Sequence, residues 1–162
     1  MLNYVVKTEA ARYTAPKDKI KALHDWVCNK VNYAYKADGK TSENSLEVKC
    51  DSSVFFRNTT VCDGYARALT LLLEKAGFEA YHVASQNHAW TMVKLGNKYY
   101  HIDACHDDNN DGTINYSHYL VSDADIKKCQ NGHKNWRIVK LSNRFDYNIP
   151  ATIPTCNETL GG

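Results

Sequence analysis

Three side chains far apart in the chain, Cys62, His88 and Asp103, are the parts of a thiol catalyst: a sulfur nucleophile, an imidazole to exchange its proton and a carboxylate to orient the imidazole. Cys62 heads a run of Ala66, Leu69, Leu72, Leu73 and Ala76 whose spacing predicts an amphipathic helix, with Gly77 as its stop and Thr59 or Thr60 as its cap. A thiol in the first turn of a helix meets unpaired backbone N–H groups and the positive end of the dipole, and both favour thiolate. Attack of that thiolate on an amide carbonyl gives a thioester. The oxyanion is held by N–H groups at the helix start, including that of Cys62, and water or an amine resolves the intermediate.

The other two residues are brought together by a hairpin. Beyond Gly77 the apolar period changes to two, predicting strands over 79–85, 88–95 and 98–103, the last two joined by Gly96-Asn97. In a two-residue loop Leu95 opposes Lys98, so Trp90 opposes Asp103 and His88 opposes Cys105. His88 and Asp103 are then diagonal neighbours on one face, roughly 7 Å apart between backbones. Met92 and His101 fall on the same face, which makes His101 the rival for the base. Cys105 falls there too, where a disulfide to Cys62 would block the nucleophile.

Around this centre, Ile20, Leu23, Val27 and Val31 predict a helix over 17–31 entered at Pro16. Residues 37–53 are polar and without period, the pattern of a long surface connection. A polar acidic loop to Asn115 follows Asp103, then a strand over 116–121, a short helix over 123–128 and a last strand over 136–141. The fold class is α+β in one domain, residues 1–162, with its core over about 17–141 and an extended tail over 142–162.

Composition narrows the partners. With 43% hydrophobic and 23% charged residues the chain has the balance of a globular domain, and no apolar run is long enough to insert in a membrane. Twenty basic and eighteen acidic residues are interspersed at a net charge of +2, which gives no field to gather nucleic acid. Six cysteines point to a secreted or cell-surface protein whose signal peptide is not in this sequence, since the N-terminus lacks a basic and apolar leader. With Cys62 a free thiol, two disulfides at most remain.

Other features have plainer readings. His24, His82, His118 and His133 read as surface or core histidines, no two of them at the i, i+4 spacing that makes a zinc site persuasive; His101, Cys105 and His106 are a weak metal candidate. Asp107, Asn109 and Asp111, followed by Gly112, match the first half of a calcium-binding loop, but the twelfth position is His118 where a bidentate glutamate is needed. Calcium is therefore a weak expectation, and no other cofactor is called for. Tyr65 and Trp90 are candidates to shape a substrate groove, against the alternative that they pack the helix onto the sheet.

Val61-Cys62-Asp63-Gly64-Tyr65-Ala66-Arg67-Ala68, Asn87-His88-Ala89-Trp90 and Tyr99-Tyr100-His101-Ile102-Asp103-Ala104 resemble the three blocks of the bacterial transglutaminase-like superfamily, in order. The resemblance covers about residues 17–137, from Ile20–Val27 to Tyr119–Asp123. It implies a papain-like core, with Cys62, His88 and Asp103 as a catalytic triad acting on a peptide or glutamine amide of a peptide or protein substrate. Hydrolysis and transamidation share the thioester, and hydrolysis is the simpler outcome because water is always present. The sequence departs from the family after the aspartate, where Cys105-His106-Asp107-Asp108 replaces the usual Thr-Trp-Asp-Asp. Its alternatives are a catalytically silent binding or wall-associated module and a calcium-stabilised adhesion domain.

Overall fold

The computed structural model describes residues 1–141 and 149–162. Its elements in chain order are α1 (Leu2–Thr8), α2 (Pro16–Lys30), β1 (Asn32–Tyr33), α3 (Leu46–Lys49), α4 (Asp51–Phe56), β2 (Thr59–Thr60), α5 (Cys62–Lys75), β3 (Ala80–Ala84), β4 (Ala89–Leu95), β5 (Lys98–Ile102), α6 (Ala104–Asp107), β6 (Tyr119–Val121), α7 (Asp123–Ile126) and β7 (Arg137–Ile138). Strands β6-β5-β4-β3-β7 form one antiparallel sheet, and β1 pairs with β2 in parallel. The α+β, papain-like expectation holds. None of the described helices is long and apolar enough to cross a membrane.

Helices α2 and α5 bury the stripes their sequences mark. Ile20, Leu23 and Val27 of α2 meet Tyr65, Leu69, Leu72 and Leu73 of α5, and α5 in turn covers the sheet face formed by Ala80, Val93, Tyr100 and Ile102. The last turn of α5 closes as the sequence indicates: Gly77 adopts φ +93°, which favours glycine, and the N–H groups of Gly77 and Phe78 bond to the carbonyls of Glu74 and Leu73. The hairpin register also stands, since Leu95 pairs with Lys98, Met92 with His101 and Thr91 with Ile102. The opposite sheet face, with Tyr81, Val83, Trp90, Met92 and Ile138, packs with Trp136 and Cys156. Cys156 lies in the tail, of which residues 142–148 fall outside the described residues.

Three expectations are corrected. The segment 37–53 is not wholly a surface connection, because α3 and the start of α4 lie in it and bury Val48 and Ser53. The core also begins before residue 17, with Val5 and Ala10 buried in the main cluster. Neither Thr59 nor Thr60 caps α5; its N-cap is Val61 and makes no side-chain cap bond. Thr60 is buried instead, its hydroxyl 2.8 Å from the Val48 carbonyl and 2.5 Å from Ser53 Oγ. That cluster sits against Gly64: a Cβ there would lie 1.8 Å from Thr60 Oγ1, 2.9 Å from Ser53 Oγ and 3.1 Å from the Val48 carbonyl.

Gly64→Ala sets helix propensity, which favours alanine by about 1 kcal/mol, against overpacking of a hydrogen-bonded cluster. Overpacking wins, and a net loss of about 1–3 kcal/mol is expected by denaturant titration. Shortening the obstruction with Thr60→Ala should make the two losses less than additive.

Candidate active site

Cys62 is the first residue of α5 and is partly accessible, and the head of this helix has no side-chain cap to occupy its N–H groups. His88 precedes β4, and Asp103 ends β5 and caps α6, accepting from the His106 N–H at 3.2 Å. His88 Nε2 lies 2.6 Å from Asp103 Oδ2. Cys62 lies near enough to His88 to favour a proton on its ring, and Nδ1 is the ring nitrogen that Asp103 leaves open. The three residues expected from sequence are thus brought together.

The charges follow from burial and pairing. Burial works against a proton on His88, but the adjacent Asp103 charge, the bond to it and the bond to Cys62 outweigh burial and raise its pKa to about 10. Asp103 is fully buried, which alone would favour its neutral form. The His88 charge and bonds from His106, His133 and His88 overcome that and hold it well below the usual carboxylate range. The pair is therefore imidazolium and carboxylate at neutral pH.

His101 is not the base. Its Nδ1 accepts from Trp90 Nε1 at 2.9 Å, so a neutral ring carries its proton on Nε2, which faces Asp123 Oδ1 at 2.8 Å. Both nitrogens are committed, and the consequence is a fixed indole. Trp90 stacks on His88 with ring centroids 5.7 Å apart and planes 22° apart. Neither Trp90 nor Tyr65 shapes a groove, because both are 1% exposed. The Tyr65 hydroxyl donates to Asp108 at 2.5 Å. A cleft of about 400 Å³ beside His88 is lined by Tyr33, Tyr35, Ser42, Cys105, Asp108 and Asn110, among others. The alternation of Tyr33 and Tyr35 after the first helix was the signal that could have found this wall.

All six cysteines are unpaired thiols, so no disulfide ties Cys105 to Cys62. Burial, and then the Asp103 charge, push the Cys105 pKa well up, leaving a neutral thiol beside the site. Asp107 of the calcium-like loop is fully buried, its oxygens taken by His24 Nε2 at 3.1 Å and by the His118 N–H at 2.7 Å. Asn109 and Asp111 bond instead to Thr113. The core-facing turn of Asp107 was hidden from a reading of spacing alone.

Two site residues are placed differently from the sequence reading, which gives His106 only as a metal candidate with His101 and Cys105, and His133 as a surface or core histidine. His106 Nδ1 and His133 Nε2 lie 2.8 and 2.6 Å from Asp103 Oδ2. His133 comes from the loop after α7, thirty residues away, and reaches the site because Gly132 lies against His88. A Cβ on Gly132 would stand 2.7 Å from His88 Cβ, and its φ of +97° itself favours glycine.

Sign and size of the His88 shift are open to measurement. A raised folded-state pKa means the proton stays until pH rises through about 10. In Asp103→Asn the largest raising influence is gone, and the ring is expected to titrate at least one unit lower. Ring-proton NMR of both proteins checks this; an unchanged His88 titration would contradict the assignment of the cause.

The model of the transglutaminase-like superfamily matches residues 5–104, which include Cys62, His88 and Asp103. Among solved structures the chain is similar to a TGase, at 23% identity and TM-score 0.56 over 64% of this chain and 30% of that one. It is also similar to a candidate cysteine protease from Cytophaga hutchinsonii, at 18% identity and TM-score 0.50 over 70% and 39%. The chain spans well under half the length of either, and the likeness is one of fold. No curated protein matches it. With the matched region covering more than half its length, the chain belongs to the transglutaminase-like superfamily.

Proposed function

We propose that the protein performs thiol-dependent acyl transfer at an amide of a peptide or protein, with Cys62 as nucleophile, His88 as proton carrier and Asp103 as its orienting group. The observation that supports this most is His88 Nε2 held 2.6 Å from Asp103 Oδ2 while Cys62, at the head of α5, acts on the same ring. Cys62 attacks the carbonyl carbon as the thiolate of a thiolate–imidazolium pair, its proton already held on the His88 ring. The carbonyl oxygen, now an alkoxide, meets the N–H groups at the uncapped head of α5. Collapse expels the amine, which leaves with the proton from His88, and the acyl group remains on sulfur as a thioester. Water then adds, giving its proton to His88, and the acid leaves as the thiol is restored.

Hydrolysis is proposed over transamidation because water is always present, whereas an entering amine needs a site of its own. A TGase and a candidate cysteine protease, the two folds most informative for comparison, stand on either side of that choice.

Under reducing conditions, iodoacetamide is expected to modify Cys62 ahead of the five other thiols, and the rate in His88→Ala should fall by about 10-fold or more. Peptide mapping by mass spectrometry reads both. An unreactive Cys62 in folded protein would remove the basis of the proposal. Cys62→Ala should abolish release of ammonia or amine from peptide substrates, and adding a primary amine distinguishes water from amine as the acceptor.

A further inference from the structure

We propose that His88, Asp103, His106 and His133 form a binding site for a divalent transition-metal ion, zinc being the best match, and that the ion switches off the thiol centre. One carboxylate oxygen, Asp103 Oδ2, has three imidazole nitrogens around it: His88 Nε2 at 2.6 Å, His106 Nδ1 at 2.8 Å and His133 Nε2 at 2.6 Å. The four donor atoms all lie within 4.8 Å of one another. Tetrahedral zinc, with bonds of about 2.0–2.1 Å to nitrogen and oxygen, requires donors some 3.3 Å apart. Small outward movements of the carboxylate and rings reach that spacing. The rings already radiate from a common centre, His88 standing edge-on to His106 at 87° and to His133 at 81°.

His133 Nδ1 is 3.3 Å from the Cys129 carbonyl, which only accepts. On coordination His133 would keep its proton on Nδ1, towards the Cys129 carbonyl, and turn a lone pair on Nε2 to the ion in place of its bond to Asp103. Three imidazoles and one carboxylate are a donor set that zinc takes readily, whereas calcium and magnesium prefer oxygen. The second group with metal-like spacing, His101, Asp123 and Cys156, lacks this property. There Trp90 occupies His101 Nδ1 as a donor, so a lone pair on Nε2 would require an imidazolate.

Coordination would take the His88 Nε2 and Asp103 Oδ2 atoms that now bond to each other. Cys62 is not among the four donors, so sulfur is not a ligand. The binding step does not rest on the proposed acyl transfer; only its inhibitory consequence does, and the two are separable by reading binding directly.

Zinc chloride is titrated calorimetrically into the chelator-treated chain kept reduced with a phosphine, alongside His106→Ala and His133→Ala. One ion per chain is expected in the parent, with affinity falling about 10-fold or more in each variant. Because a variant may lose its fold, cobalt is added to the parent as well: a tetrahedral visible spectrum without a thiolate charge-transfer band is expected. Zinc should also protect Cys62 from iodoacetamide, and that protection should disappear in His106→Ala. Absence of a saturable site, equal affinity in folded variants, or a thiolate band in the cobalt spectrum would each overturn the proposal.

Discussion

A carboxylate with no access to solvent has to be stabilised by its neighbours, and at Asp103 three histidines do it. Burying one carboxylate costs several kcal/mol even after relaxation. A hydrogen bond to a charged group returns about 1.5–3 kcal/mol. Bonds from His88, His106 and His133 are therefore of the size needed, and loss of one would leave a buried charge short of partners. The orientation of His88 follows from this. With Nε2 held by Asp103 and one face against Trp90, the ring has little freedom.

Delivery of these groups depends on two close approaches that only glycine permits. Gly64 lets the first turn of α5 settle on Thr60, Ser53 and the Val48 carbonyl, which sets where Cys62 lies. Gly132 lets the loop after α7 pass over Asn87 and His88 and carry His133 to Asp103. On the far side, Asp123 holds His101, His101 holds the Trp90 indole and Trp90 backs His88, so the rear face of the sheet supports the site through a chain of ring contacts. Sheet, helix and loop each contribute one restraint on the same imidazole.

Much of this was legible because it is periodic or local. The stripe from Ala66 to Leu73 marks a helix, and Gly96-Asn97 sets a register that puts His88 and Asp103 on one face without any assumption about their roles. Polar residues were harder to place, since their positions depend on partners distant in sequence. Thr60 has the composition of a cap but finds the Val48 carbonyl; Asp107 has the spacing of a calcium ligand but finds His24, 83 positions away. His133 had no signal at all apart from the glycine before it. Short helices α3 and α4 escaped notice for a related reason: with four and six residues they are too brief to show a period and owe their form to packing.

What distinguishes Cys62 from five other thiols is then a matter of neighbours more than of residue type. Cys28 is buried with its sulfur 3.4 Å from the Ala104 carbonyl, and Cys156 is enclosed in the rear cluster. Cys105 is nearer the site, yet burial, and after it the Asp103 charge, disfavour its anion and keep the thiol protonated. Cys62 has the opposite environment: an imidazolium on one side and the head of a helix on the other. The same carboxylate therefore bears on both surroundings: it adds to the burial that keeps Cys105 neutral, and it holds the imidazolium that stands beside Cys62.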